Sequence, residues 1–186
     1  MSIYYYAYFI KTQAPESKIT ARFPHAAVLP DSAWVLCDFS DRSYPIGVFE
    51  PGAYFTKELS AQFGEALFIC VDTRNDQFEY EHSQNGSILR KLSWITDGCQ
   101  STWEWVEGKK EDWEDMYIFS EANFDRAREW LRYDEAMTED QLLAKEQELQ
   151  LIWDQRKYLL GDKWPSSDAT IGMAIQKHFG LKLPSM

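Results

Sequence analysis

The stretch from Ala66 to Glu107, ALFICVDTRNDQFEYEHSQNGSILRKLSWITDGCQSTWEWVE, decides the fold. Runs rich in β-branched and aromatic residues occupy Ala66 to Val71, Gln77 to His82, Ile88 to Ile95 and Thr102 to Val106, and such runs favour strands. Turn formers separate them: Arg74-Asn75-Asp76, Gln84-Asn85-Gly86 and Asp97-Gly98. The reading is an antiparallel meander.

The middle hairpin carries the most information, because side chains alternate between faces and a one-residue slip exchanges the two sets. A three-residue loop, Gln84 to Gly86, puts Phe78, Tyr80 and His82 on one face with Leu92, Arg90 and Ile88, and sets Glu79 opposite Lys91. A two-residue Asn85-Gly86 loop would instead put Lys91 among the aromatics and Leu92 among the glutamates. The longer loop is expected, with Gly86 in the left-handed position of a type I turn followed by a bulge.

Outside this stretch the chain predicts a strand over Ile3 to Ile10, a short helix over Pro15 to Phe23 and a doubly buried strand over Ala33 to Phe39. Val28-Leu29-Pro30 breaks any helix, and Ser40 to Gly52 has the profile of a structured loop. Phe55, Leu59 and Phe63 recur at helical spacing, so Ala53 to Phe63 is a helix ended by Gly64. EGKKEDWEDM, after Val106, reads as an acidic turn. Ser120 is a good N-cap with Phe119 and Phe124 as its staple, opening a helix to about Tyr133. Thr138 and Gln141 form a capping box, with Met137 and Leu142 as staple, for a helix running through Leu159 to Gly161. A last helix, Asp168 to Phe179, is expected to be capped by Ser167 and closed by Gly180, with Ile175 and Leu181 in the contact that accompanies such an ending. Strands first and helices afterwards, without βαβ alternation, mean an α+β class. The expectation is one domain over residues 1–186: mainly sheet to residue 115, and three helices from 120 to 180.

Composition narrows the function classes. The chain has 186 residues, 45% of them apolar, with 8 Trp, 10 Tyr and 11 Phe, which is far from a disordered composition. No apolar window approaches the ~18 residues of a membrane span, and MSIYYYAYFIK lacks the basic start and cleavage site of a signal peptide. Cytoplasmic residence is expected. The net charge of −11 argues against nucleic acid or an anionic membrane as partner and permits a basic protein. Cys37, Cys70 and Cys99 are widely spaced with no CxxC, so each reads as a buried thiol, although Cys70 and Cys99 could meet on neighbouring strands.

The chain has no GxGxxG, no Walker phosphate loop, no HExxH, no GxSxG and no EF-hand loop, and its histidines are His25, His82 and His178. No metal or cofactor is called for. Two constellations remain. Tyr80, His82 and Arg90 project from one sheet face, where a phenol, an imidazole and a guanidinium could bind an anion or move a proton; the bland alternative is a structural end to the sheet. On the opposite face Glu79 and Glu81 with Lys91 fit cross-strand charge pairing on a solvated surface. The second constellation is Trp103, Glu104, Trp105, Glu107 and Glu111: aromatics on one strand face, rimmed by acids, suit a basic protein partner. Alternating Trp and Glu is equally what a half-buried edge strand looks like.

The segments FEYEHSQNGSILRKLSW and TWEWVEGKKEDWE resemble a set of uncharacterised bacterial proteins with a pattern F-x-Y-x-H-x3-dG-x-l-lR-x-L followed by W-x-x-veG-x3-WE. The match spans about residues 64 to 115 and, more loosely, the final IGMAIQKHFGL with its following LP. The resemblance implies a bacterial, cytoplasmic α+β protein and transfers no activity. By general character alone, small, acidic, aromatic-rich and motif-poor, the chain is similar to toxin-neutralising immunity proteins. The expectation is a non-enzymatic interaction protein; the alternative is a small-ligand binder or enzyme using Tyr80, His82 and Arg90.

Overall fold

A computed structural model describes residues 3–23, 26–28, 32–38, 54–96, 98–133 and 137–181. Its strands are β1 (Tyr4–Lys11), β2 (Ala27–Val28), β3 (Trp34–Asp38), β4 (Glu65–Asp72), β5 (Gln77–Gln84), β6 (Ser87–Thr96) and β7 (Ser101–Gly108). Its helices are α1 (Glu16–Thr20), α2 (Thr56–Phe63), α3 (Asp112–Tyr117), α4 (Glu121–Arg132), α5 (Glu139–Gln155) and α6 (Ile171–Phe179). The strands form one antiparallel sheet in the order β2-β3-β1-β4-β5-β6-β7. The class is α+β, as expected, and the meander β4 to β7 is its larger part. The loop expected over Ser40 to Gly52, together with Leu29-Pro30, His25 and Asp97, lies outside the described residues.

Alternation along the strands builds two separate cores. One face carries Ala7, Phe9, Leu67, Ile69, Phe78, Tyr80, Leu92, Trp94 and Trp103, and buries them with residues of α3 to α6 in a single cluster. The C-terminal helices therefore pack on the sheet. We call this the helical face. The other face carries Tyr8, Ile10, Cys37, Phe68 and Cys70, packed against Ile19 of α1 and Leu59 and Phe63 of α2. We call this the α2 face. Both cores are sizeable, and apolar burial at ~25 cal/mol per Å² is the main term holding each layer down.

The hairpin differs from expectation in an instructive way. Gln84 pairs with Ser87, so the loop is the two-residue Asn85-Gly86, with φ of 49° and 79°. Positive φ at both positions is the type I′ turn, whose twist matches the strands and which Asn-Gly favours. The register then shifts between His82 and Ser83, with Ser83 facing Ile88 and His82 facing Arg90. The bulge thus falls at Leu89 rather than in the loop. It restores the expected face for Tyr80, His82, Arg90 and Leu92, with Tyr80 facing Leu92 and Lys91 facing Glu81, not Glu79; Ile88, expected on that face too, is paired with Ser83 on the α2 side and is exposed. Outside support fixes the turn, because Asn85 N donates to Gly64 O at 2.8 Å and Gly86 N to Ser60 Oγ at 3.0 Å, both at the end of α2.

The helices differ from expectation as well: α1 is shorter than Pro15 to Phe23, and α2 begins at Thr56. The acidic segment after β7 is not a turn but α3, in which Glu114 at the third helical position accepts from the Glu111 amide at 2.8 Å. The helix opened by Thr138 keeps its capping box but ends at Gln155, because Arg156 is left-handed (φ 49°) and Lys157 N donates to Ile152 O at 3.0 Å. That reversal turns Tyr158 inward. The last helix starts at Ile171 rather than Asp168: Asp168 Oδ1 accepts from Thr170 N at 2.8 Å, and this local turn competes with helical backbone, leaving Ser167 outside. Its end is as expected, with Gly180 left-handed and Leu181 N donating to Gln176 O at 2.8 Å. Ser120 caps α4 by accepting from Asn123 N.

Candidate functional site

Tyr80 and His82 of β5 and Arg90 of β6 do converge, under α3. The path that brings α3 there depends on Gly108, at φ +84°, where an added Cβ would lie 2.0 Å from the Leu89 carbonyl oxygen. Only glycine lets the chain cross the bulge so closely. Lys109 N then donates to Leu89 O at 3.1 Å, and α3 lands on the helical face.

The carboxylate of Glu111 is the hub of one network. Tyr80 Oη donates to Oε2 at 2.6 Å, Trp113 Nε1 donates to the same oxygen at 2.7 Å, and His82 Nδ1 lies 2.5 Å from Oε1. The other imidazole nitrogen, Nε2, lies 3.2 Å from Glu65 Oε1. Burial pushes the Glu111 carboxyl up, but the hydrogen bonds from His82, Tyr80 and Trp113 outweigh it and hold the group below the usual carboxylate range. Tyr80 is raised well above its ordinary value by burial and then by the Glu111 charge, so it stays a donor. Trp113 stands edge-on to Tyr80 at 5.4 Å and Phe179 edge-on to His82 at 5.5 Å, closing the network from two sides.

A second network surrounds Arg90. Its Nε and Nη2 donate to Glu114 at 2.9 and 2.6 Å, and Nη1 donates to the carbonyl oxygens of Glu107 and Gly108 at 3.1 and 3.0 Å. Tyr158 Oη donates to Glu114 Oε2 at 2.6 Å, and the guanidinium lies 5.4 Å from the Tyr158 ring centroid. Burial opposes the charge on Arg90, and the Glu114 hydrogen bonds and charge more than offset it, raising its pKa. The sequence places a phenol, an imidazole and a guanidinium on one face as a receptor for an anion; in the fold the anions are the chain's own Glu111 and Glu114. The constellation clamps α3 to the sheet.

The acidic-aromatic set is dispersed. The register shifts between Ser93 and Trp94, leaving Trp94 opposite Trp103 and Ser93 opposite Trp105, with Glu104 as the extra residue. Trp103 and Trp105 therefore point to opposite faces instead of sharing one. Trp103 is fully buried, donates from Nε1 to Pro165 O at 2.8 Å and stacks edge-on to Trp94 and Tyr158. Trp105 is half-buried, while Glu104 and Glu107 are exposed. Glu111 belongs to the Tyr80 and His82 network. Its role was legible in principle, since Glu111 and Glu114 have the spacing of a cap and its return partner.

The α2 face holds the least expected arrangement. Glu79, Glu81 and Lys91, expected on a solvated surface, are 6%, 2% and 9% exposed. Glu81 accepts from Thr56 Oγ1, which also bonds Ser83 Oγ at 2.8 Å, and lies 3.7 Å from Lys91 Nζ. The Lys91 ammonium sits 5.1 Å from the Tyr54 ring centroid and 4.6 Å from that of Trp105. Burial pushes the Glu79 carboxyl up to about 7, against the nearby Lys91 charge. Burial likewise raises the Glu81 carboxyl, with Thr56 and Lys91 partly opposing it.

None of the three cysteines is in a disulfide, so the expected meeting of Cys70 and Cys99 is not a covalent one: Cys37 and Cys70 are buried, whereas Cys99 is exposed. Burial pushes both buried thiols up to about 12, which removes them from nucleophilic chemistry. Among the described residues no group of His, Cys, Asp or Glu could hold a metal ion, and no helix is long and apolar enough to cross a membrane. Comparison with protein-family models, with curated proteins and with solved structures returns no match.

Proposed function

We propose that the chain is a non-enzymatic binding protein of the bacterial cytoplasm that holds a basic protein partner, in the manner of an immunity protein. The observation that carries this reading is the placement of Glu104 and Glu107: both are exposed on β7, the outermost strand of the sheet, in a chain with net charge −11. Acidic groups on an outer strand speed encounter with a positive surface and give the complex a salt-dependent rate. Half-buried Trp105 lies between them, on the same face as Glu107, as apolar contact.

The test uses Glu104→Lys with Glu107→Lys, since Glu111 is built into the fold and its reversal would report on folding. The folded double variant should lose a salt-sensitive partner that the wild-type chain retains from lysate of its own source. Identical capture by both proteins removes the reading. The other reading, a small-ligand binder or enzyme over Tyr80, His82 and Arg90, requires Glu111 or Glu114 to leave its place, and their hydrogen bonds weigh against that.

A further inference from the structure

Between α4, α5 and the segment 157–164 lies a concavity of about 340 Å³, near the lower end of the range of small-molecule sites. Its walls are Leu131 of α4, Leu149, Leu151 and Ile152 of α5, and Leu159 and Trp164 of the following segment. Leu131 and Leu149 are buried, whereas Leu151 is 56% exposed, an apolar side chain kept in water at the edge of an apolar hollow. The backbone around the hollow is fixed. Arg156 is left-handed without being a glycine or a short polar residue, a state that persists only where its surroundings impose it, and Lys157 N returns to Ile152 O at 3.0 Å. Farther on, Leu159 N donates to Trp164 O at 2.9 Å, and the segment is pinned to β7 by Trp103 N to Asp162 O at 3.0 Å and Gly161 N to Trp103 O at 2.8 Å. The concavity is built into the fold.

Its polar rim is asymmetric. Lys145 is ion-paired to Glu148 at 2.8 Å and also feels the charge of Asp162, so both carboxylates of the lining answer to that ammonium. At the other end of α5, Gln155 and Lys157 are exposed on the rim, and among the described residues neither side chain has an ion pair or a hydrogen bond.

We propose that this concavity binds a medium-chain aliphatic carboxylate, its chain lying over Leu149, Ile152, Leu159 and Trp164 and its head taking the Lys157 ammonium and the Gln155 amide. The chemistry follows from the lining: apolar walls suit a hydrocarbon chain, and N–H donors at one end, one of them charged, suit an anionic head. The volume sets the length. At roughly 30 Å³ for each water-sized group the concavity takes about eleven of them, and octanoate has about ten non-hydrogen atoms. A chain with net charge −11 has no general attraction for anions, so a carboxylate is held here by the local arrangement alone. The site shares no side chain with Glu104, Trp105 and Glu107 and is independent of the proposed function.

The test is an NMR titration of the backbone amides of the whole chain with sodium octanoate below its micellar range, against octanol as the neutral tail and sodium acetate as the bare head. Octanoate should give saturable shifts centred on Leu149, Ile152, Lys157 and Leu159. Octanol should bind about fivefold more weakly, the worth of a half-exposed ion pair, and acetate should not bind. Lys157→Gln changes an exposed side chain and should bring octanoate down to the affinity of octanol, whereas Leu151→Glu should weaken both. No saturable shift below the micellar range, shifts spread as strongly over exposed Met116, Leu143 and Met173, equal affinity for octanoate and octanol, or unchanged octanoate affinity in Lys157→Gln overturns the site. The comparison of octanoate with octanol uses the wild-type chain and so decides the matter even if a variant folds poorly.

Discussion

Arg90 and Glu114 lie fork to fork between β6 and α3, Nε to Oε1 at 2.9 Å and Nη2 to Oε2 at 2.6 Å, with the glutamate fully buried. Removing one charge of such a pair leaves the other stranded away from water. Glu114→Ala should therefore lower unfolding stability by roughly 3–5 kcal/mol in urea denaturation, while a double replacement by apolar residues of similar volume should cost much less. Equal losses in the single and double variants would show that volume, and not the stranded charge, is decisive there.

Gly108 gives the sharpest steric prediction. Because a Cβ would lie 2.0 Å from Leu89 O at a φ of +84°, Gly108→Ala must displace backbone. Its cost should exceed the ~1 kcal/mol of an ordinary left-handed glycine, and the chemical shifts of Leu89 and Arg90 should move with it. A variant as stable as the wild type would mean that the crossing is looser than described.

Trp103 and Glu104 are neighbours in sequence with opposite environments. Trp103→Ala opens the core beneath β7 and should cost ~3–5 kcal/mol, whereas Glu104→Lys should leave Tm unchanged while altering partner binding. Calorimetry of the two variants separates core from surface directly.

Glu79 and Glu111 should tilt the pH dependence of stability in opposite directions. Glu79 has its folded value raised by burial to about 7 from an ordinary 4.5, so its contribution is fully present below about 4.5 and is lost as pH rises through 7. At ~1.36 kcal/mol per unit, ionisation costs the fold roughly 3 kcal/mol, and Glu79→Gln should be the more stable protein at pH 8.5. Glu111 is depressed despite its burial, because His82, Tyr80 and Trp113 hold the charged form; its contribution is present above about 4.5 and is lost as pH falls through its lower folded value. Denaturation midpoints from pH 3 to pH 9 for the wild type and the Glu79→Gln variant test the alkaline limb. Parallel curves would contradict the burial of that charge.

The α+β class, the four strands of the meander and the Ser120 and Thr138 caps were legible because each rests on local rules: alternation, turn residues and capping. What was not legible needed contacts from elsewhere in the chain. The face of Tyr80, His82 and Arg90 was correctly read from a wrong loop, because a bulge at Leu89 supplies the same change of parity. The comparable bulge at Glu104 has no signal in the local sequence, so strict alternation puts Trp103 and Trp105 on one face, where the fold separates them. Apolar spacing alone extends α5 past Gln155, whereas the break at Arg156 comes from a non-glycine residue in a left-handed state. The candidate site is half visible: its imidazole, guanidinium and phenol lie on a readable hairpin, but its carboxylates come from a segment that looks like a turn until α3 is seen to dock.

β1 lies between β3 and β4 in the sheet, far in sequence from the strand it meets on its meander side. The strands from β4 to β7 join neighbours through tight turns and close short loops, whereas β1 meets β4 with Lys11 beside Glu65, across a long intervening chain. Loop closure is costlier and slower for such distant partners. In pulse-labelled hydrogen exchange the amides of β5 and β6 should thus gain protection ahead of those of β1, the amino-terminal strand entering last, as the keystone between two preformed halves.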